Sequence, residues 1–315
     1  MRLVTCCSLN GKMARARPPR PRSRGRVERE LAGPESVAWK LNQEIVLLLG
    51  WGAAILMQFA HPLVAAGVAD HSQFMANRRQ RARRLHQTLR AMLELSFGDA
   101  DAVCRAARGI NAIHDRVHGE LREPTGAYPG GTPYSAHDPA LLRWVHATLL
   151  ETFPRAYELF VGPLTAEEKD RYCAEAAGMA PLLGIPDDYL PASTAALADY
   201  LRAILADGQI VVGPTARRLA YEVMHPPVLR RIPPLLWLVQ LPAIGLLPPD
   251  LREAYGFAWG RKEALALRCF AAAVRAALRV TPPLLRHWPA ASRARARWAR
   301  RRREAPAIER ARPGE

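Results

Sequence analysis

Signals of β structure are almost missing from this 315-residue chain. No stretch alternates apolar and polar residues with β-branched enrichment, and no Asn-Gly or Asp-Gly step joins two such stretches. That excludes a sandwich or barrel and leaves an all-α reading. Cysteine is scarce: five in a chain this long make no disulfide scaffold. Several catalytic signatures are absent as well. There is no nucleophile-elbow serine motif, no phosphate-binding P-loop, no Gly-rich dinucleotide fingerprint and no His-Glu-x-x-His. Without Cys-x-x-Cys-His a covalently attached haem is excluded. No aromatic interleaving supports stacking of single-stranded nucleic acid. Gly 21 and Pro 27 follow no fixed period, so a collagen-like fibre is excluded.

What is abundant is positive charge, +16 overall. Its placement matters more than its size. Residues 1–30 and 286–315 each carry a net +7, and the stretch between them only +2. The basicity belongs to two ends, so it says little about what the body binds. The first end, with Arg-Pro-Pro-Arg-Pro-Arg at 17–22, has too little apolar area to fold. The expected organisation is a disordered basic tail over 1–34, an all-α domain over 35–290 and an Arg-rich tail over 291–315. Glu28, Glu30 and Glu35 separate the basic segment from the first apolar run, and no Arg pair stands in the N-terminal tail. An export signal is therefore not expected, and the chain is read as cytoplasmic with its cysteines as thiols.

Residues 45–69 contain no charged side chain and are long enough to span a bilayer. Gln58, His61 and Pro62 argue instead for a buried core helix that breaks at His61-Pro62. A second apolar run, 232–249, is read as too proline-broken for one helix. It suits a greasy loop or a membrane-surface patch. Helix signals fill the rest. Arg78–Phe97 is a basic amphipathic stretch closed by Gly98. Asp99 to Val117 carries a clean helical stripe. Asp138-Pro139 reads as an N-cap and first turn, Thr165-Ala-Glu-Glu168 as a capping box, and 194–206 as a helix closed by Asp207-Gly208. With further helices over 215–224, 249–257 and 260–279, roughly ten are expected.

The histidines carry the chemistry. On a helical wheel His114 lies within about 40° of Val103, Ala107 and Ile110, at the centre of the apolar face. His118 falls one turn on, about 40° to the side of that face. His146 follows Val145 on the apolar stripe of the next helix, and His61 sits at the break in the first apolar run. A single inward histidine is commonly a neutral ring bonded to a carbonyl. Several in one helical core suggest metal ligation, by zinc, non-haem iron or haem iron. His114 and His118 at i and i+4 suit a chelate, and Asp70 and His71 offer further donors. A haem b asks for one axial histidine and a large apolar cavity. The Arg78–Arg90 run reads as a solvated face, in which Arg84, Gln87 and Thr88, three or four apart, are positioned to turn inward together. The Gly/Pro-rich stretch 126–139 is either a lid or a plain connector.

Four segments together resemble a known family. They are Phe59-Ala-His-Pro-Leu-Val-Ala-Ala-Gly-Val-Ala-Asp-His-Ser72; Arg84-Leu-His-Gln-Thr88 with Phe97-Gly98; Ile113-His-Asp-Arg-Val-His-Gly119; and Tyr134-Ser-Ala-His-Asp-Pro-Ala-Leu-Leu-Arg-Trp-Val-His-Ala-Thr148. This ordered set is similar to the oxygenases that include the ER-bound enzymes of the mycophenolic acid pathway and the latex-clearing rubber oxygenases. The resemblance extends through Gly245-Leu-Leu-Pro-Pro249 and covers roughly 35–290. It implies an all-α domain around a haem-sized apolar cavity, with non-covalent haem b as cofactor and O₂ as co-substrate. In the resemblance His114 matches the axial ligand, and Arg84 and Thr88 match polar distal residues. Gln87 stands where the rubber enzymes have lysine, which favours a smaller apolar substrate, isoprenoid or lipid, over a polymer. His146, His118 and His61 are the other expected haem-site histidines. The competing reading is a non-enzymatic helical protein held to anionic membrane by its Arg-rich tails, with no specific nucleic-acid partner.

Overall fold

A computed structural model of the chain describes residues 32–71, 78–226 and 229–310. It is all-α, with one two-stranded ribbon among the described residues. The helices are α1 (Val37–Asn42), α2 (Leu48–Phe59), α3 (Pro62–His71), α4 (Arg78–Phe97), α5 (Ala100–His114), α6 (Pro139–Phe160), α7 (Ala166–Met179), α8 (Thr194–Ala206), α9 (Pro214–Met224), α10 (Pro233–Gly245), α11 (Pro249–Ala254), α12 (Arg261–Val280), α13 (Pro283–Arg286) and α14 (Pro289–Arg310). Among the described residues fourteen replace the roughly ten expected, because several short turns had no periodic signal of their own. The N-terminal tail lies, up to residue 31, outside the described residues.

The caps explain the starts. Ser36, Asp99, Asp138, Thr165 and Ser193 each accept a backbone N–H of the first turn they precede. Thr165 and Glu168 form the complete capping box. The charge-free run breaks at His61-Pro62 as expected: α2 and α3 meet at 105°. No single described helix is long and apolar enough to cross a membrane.

The core is built on α2 and α6. A Cβ on Gly50 would lie 2.7 Å from the Ala156 Cβ, and one on Gly52 would lie 2.6 Å from the Ala243 Cβ. Two bare positions thus let α2 approach α6 on one side and α10 on the other. Gln58 donates to Thr148 Oγ1 across the α2–α6 seam at 3.1 Å. The α6 helix carries Pro154 in its interior, and the Thr148 and Thr152 hydroxyls bond back to the Val145 and Thr148 carbonyls at 2.7 Å.

Two expectations need correction. The run at 232–249 is one helix, α10, over Pro233–Gly245. Its opening prolines occupy the first turn, where no N–H is needed, and Pro242 is tolerated inside. The segment from 291 is a helix at least as far as Arg310. Ala291 and Ala294 are buried beside Trp39 and Phe97. Just before it, Arg286 forks onto the buried Glu44 carboxylate at 2.7 and 3.0 Å.

Candidate functional site

His114 is the last residue of α5. Val103 and Ala107 on its side of the helix are buried, and the imidazole itself is half-buried. The helix stops here because the chain turns into β1 (His118–Glu120), which pairs antiparallel with β2 (Pro133–Ser135). Gly119 faces Tyr134, whose hydroxyl would lie 2.7 Å from any Cβ at that position. Tyr134 is fixed in turn by donating to Asp70 at 2.8 Å, and Asp70 also accepts from Arg122 at 2.8 Å. A short two-stranded ribbon thus sets where α5 ends and where its final side chain points.

The ring of His114 is held neutral. Burial lowers its pKa to about 4, assisted by His137 and opposed by Asp115. Its Nδ1 is buried with no hydrogen-bond partner. One turn earlier, Asn111 donates to the Leu182 carbonyl at 3.0 Å while its own side-chain oxygen is buried and unpartnered. His137 lies perpendicular to His114, ring centroids 5.8 Å apart, and donates from Nε2 to Asp115 at 2.7 Å. His146, on α6, is also held near pKa 4 by burial, with His114 adding to the shift. His114 and His146 therefore share one electrostatic neighbourhood.

The other expected residues fall elsewhere. His118 lies beyond the end of α5, exposed on β1, so the i, i+4 chelate does not form; its carbonyl accepts from His71 Nε2 at 2.8 Å. His61 is 2% exposed with both ring nitrogens engaged. Nδ1 accepts the Leu63 N–H at 3.3 Å, capping α3, and Nε2 meets the Tyr128 hydroxyl at 3.3 Å. Tyr128 then donates to Gln209 at 3.2 Å, a chain that leaves His61 no free lone pair and ties down the 126–139 connector. Gln87 and Thr88 are exposed on α4. The side chain of Arg84 lies outside the described residues. Two hollows, of about 40 and 580 Å³, are lined from α4 and its neighbours; neither is lined by His114.

His137 went unassigned in the sequence because it sits in a connector with no helical phase to aim it. Arg143, one turn before His146, was hidden for another reason. Its guanidinium stacks between Tyr189 and Tyr200, 4.9 and 4.2 Å from the ring centroids, with Nε buried and unpartnered. Those aromatic partners are distant in sequence. Among the described residues no three His, Cys, Asp or Glu side chains converge to hold a bare metal ion.

Comparison with known proteins gave no matching curated protein and no matching solved structure. A family model, however, matches residues 39–276, from the buried Trp39 through most of α12 and across every segment just described. The chain belongs to the family of the ER-bound oxygenase mpaB/B′ and rubber oxygenase catalytic domain.

Proposed function

We propose that this oxygenase domain would hold haem b non-covalently through His114, and that the bound group would supply O₂ chemistry to a small apolar, isoprenoid-type chain. The observation that carries the reading is His114 itself: a neutral imidazole on an apolar helix face, with a buried nitrogen that has no partner. A metal ligand must keep its lone pair at neutral pH, and a pKa near 4 meets that requirement. An unsatisfied buried nitrogen is a cost that a ligand bond would relieve. The donor count points the same way. With no three side chains converging on a metal among the described residues, iron at His114 needs a cofactor that brings the remaining donors, as a porphyrin does.

Bound haem would supply the O₂ activation. The chain's own residues do the rest. Asp115 accepts from His137, and the fixed His137 ring stands against His114 and sets its orientation. Neutral His146 adds no positive charge beside the ligand. Ile110 stands one turn before His114 on a stripe that continues through Ala107 and Val103, so the helix face leading to the ring is apolar, which suits a greasy substrate. The distal side receives no assignment from Gln87 or Thr88, which face solvent.

Protein purified from haem-supplied cells tests this. The expected result is a Soret band with about one iron per chain. Colourless, iron-free protein from the same cells contradicts the reading.

A further inference from the structure

The first half of α10 projects from the body. Ile232 is 51% exposed, Leu235 40%, Trp237 47% and Val239 40%, and Pro233 and Pro234 between them are exposed too. The second half is embedded: Leu241 and Ala243 are buried, and Ala243 meets Gly52. Wheel positions 232, 235 and 239 form one stripe, while Trp237 stands on another side. The opening turns are therefore apolar over most of their circumference. No charged residue occurs from 232 to 249. Arg230 and Arg231 stand directly before this end, both exposed, and neither has a carboxylate partner among the described residues. Gln240 donates to the Met224 carbonyl at 2.8 Å, which ties the end of α9 to α10. There Tyr221 is 50% exposed, stacked on His225, with exposed Arg218 nearby in the chain.

We infer that this face docks on a lipid bilayer carrying anionic headgroups, with the start of α10 inserted to the headgroup level. Two features select that occupant. Trp and Tyr beside an uncharged apolar tip match the boundary between acyl chains and headgroups. The arginines are the second feature. A second copy of this chain, packed about a two-fold axis, would bring Arg230 and Arg231 against the same surface, which offers no carboxylate from 230 to 249, while Glu222 beside Tyr221 already has an interaction of its own. Anionic headgroups supply that missing charge. The helix is too short to span, so the attachment is peripheral. This inference stands independently of the cofactor at His114.

Co-sedimentation of the full chain with vesicles decides it. Phosphatidylcholine vesicles with and without about one third phosphatidylserine are used at low salt and at ~0.5 M salt, where attraction by the Arg-rich ends is screened. The wild type is expected to prefer the anionic vesicles at low salt and to keep residual binding at high salt. Leu235→Asp with Trp237→Asp lowers the high-salt binding about tenfold or more. Arg230→Gln with Arg231→Gln lowers the low-salt anionic preference about fivefold per arginine. Both sites are exposed, so unchanged thermal melting is the control, and Leu235→Ala with Trp237→Ala repeats the test without added charge. High-salt binding equal in the apolar variants and the wild type overturns the inference. So does a wild-type dimer, seen by light scattering, that those variants dissociate.

Discussion

Two long helices, α4 and α6, differ in almost everything but length. The α6 helix is buried around most of its circumference, from Leu141 through Trp144, Leu150 and Phe153 to Phe160. On α4, Phe97 is buried, but Leu85, Gln87 and Thr88 are exposed. Both read as helices from their spacing. The difference shows that periodicity decides what forms a helix, and neighbours decide what that helix buries. The chain thus has a sealed half around α2, α6 and the embedded second half of α10. It also has a looser half around α4 and α5, where Leu85 and Ile113 stay exposed; buried unpartnered polar atoms occur in both halves, at His114 and Asn111 on α5 and at Arg143 and Trp144 on α6.

Stability measurements can break or sharpen that contrast. The largest expected effect lies at the anchor of the sealed half. Arg286→Ala leaves the Glu44 carboxylate, 2% exposed, buried with its main partner gone. A loss of about 3–5 kcal/mol is expected in urea unfolding. A loss under ~1 kcal/mol shows the pair to be incidental.

Next is acid. The pKa of His61 is lowered to about 4 by burial, so the folded protein holds this ring neutral. The unfolded chain takes up the proton below about pH 6.5. The contribution is therefore complete above pH 6.5 and is lost as pH falls towards 4, amounting to roughly 3 kcal/mol. His114 and His146 shift in the same direction and steepen the fall. His61→Gln should flatten the slope of stability against pH between 6.5 and 4; an unchanged slope removes His61 from the account.

A smaller effect is expected at Gly50. The added side chain of Gly50→Val meets Ala156, and overpacking of the α2–α6 seam should cost about 1–3 kcal/mol. A neutral result in thermal melting means the helices separate freely. The smallest effect belongs to α4: Gln87→Ala and Thr88→Ala should each change apoprotein stability by less than about 0.5 kcal/mol. A larger loss shows that these side chains are packed after all.

Much of this architecture is local and therefore legible. The caps at Asp99, Asp138 and Thr165 and the break at His61-Pro62 are fixed by residues within one turn of each other. The inward aim of His114 followed from the apolar stripe through Val103 and Ala107. What stayed hidden depends on contacts far apart in sequence. The end of α5 is set by Tyr134 lying over Gly119. His118 was assigned to a helix that had already stopped. The docked start of α14 needed Trp39 and Phe97, and the role of His61 as a cap needed Tyr128 and Gln209. Proline frequency misled at α10, because prolines in a first turn do not break a helix.

The central claim concerns one nitrogen. Purified apoprotein titrated with haem, wild type beside His114→Ala and His114→Ala with added imidazole, tests it most directly. The account predicts saturation at about one haem per chain for the wild type, and a shifted, weakened Soret band in the variant. Free imidazole should restore the wild-type spectrum, with the circular dichroism of all samples alike. Identical titrations and spectra for wild type and variant would show that His114 is not the ligand.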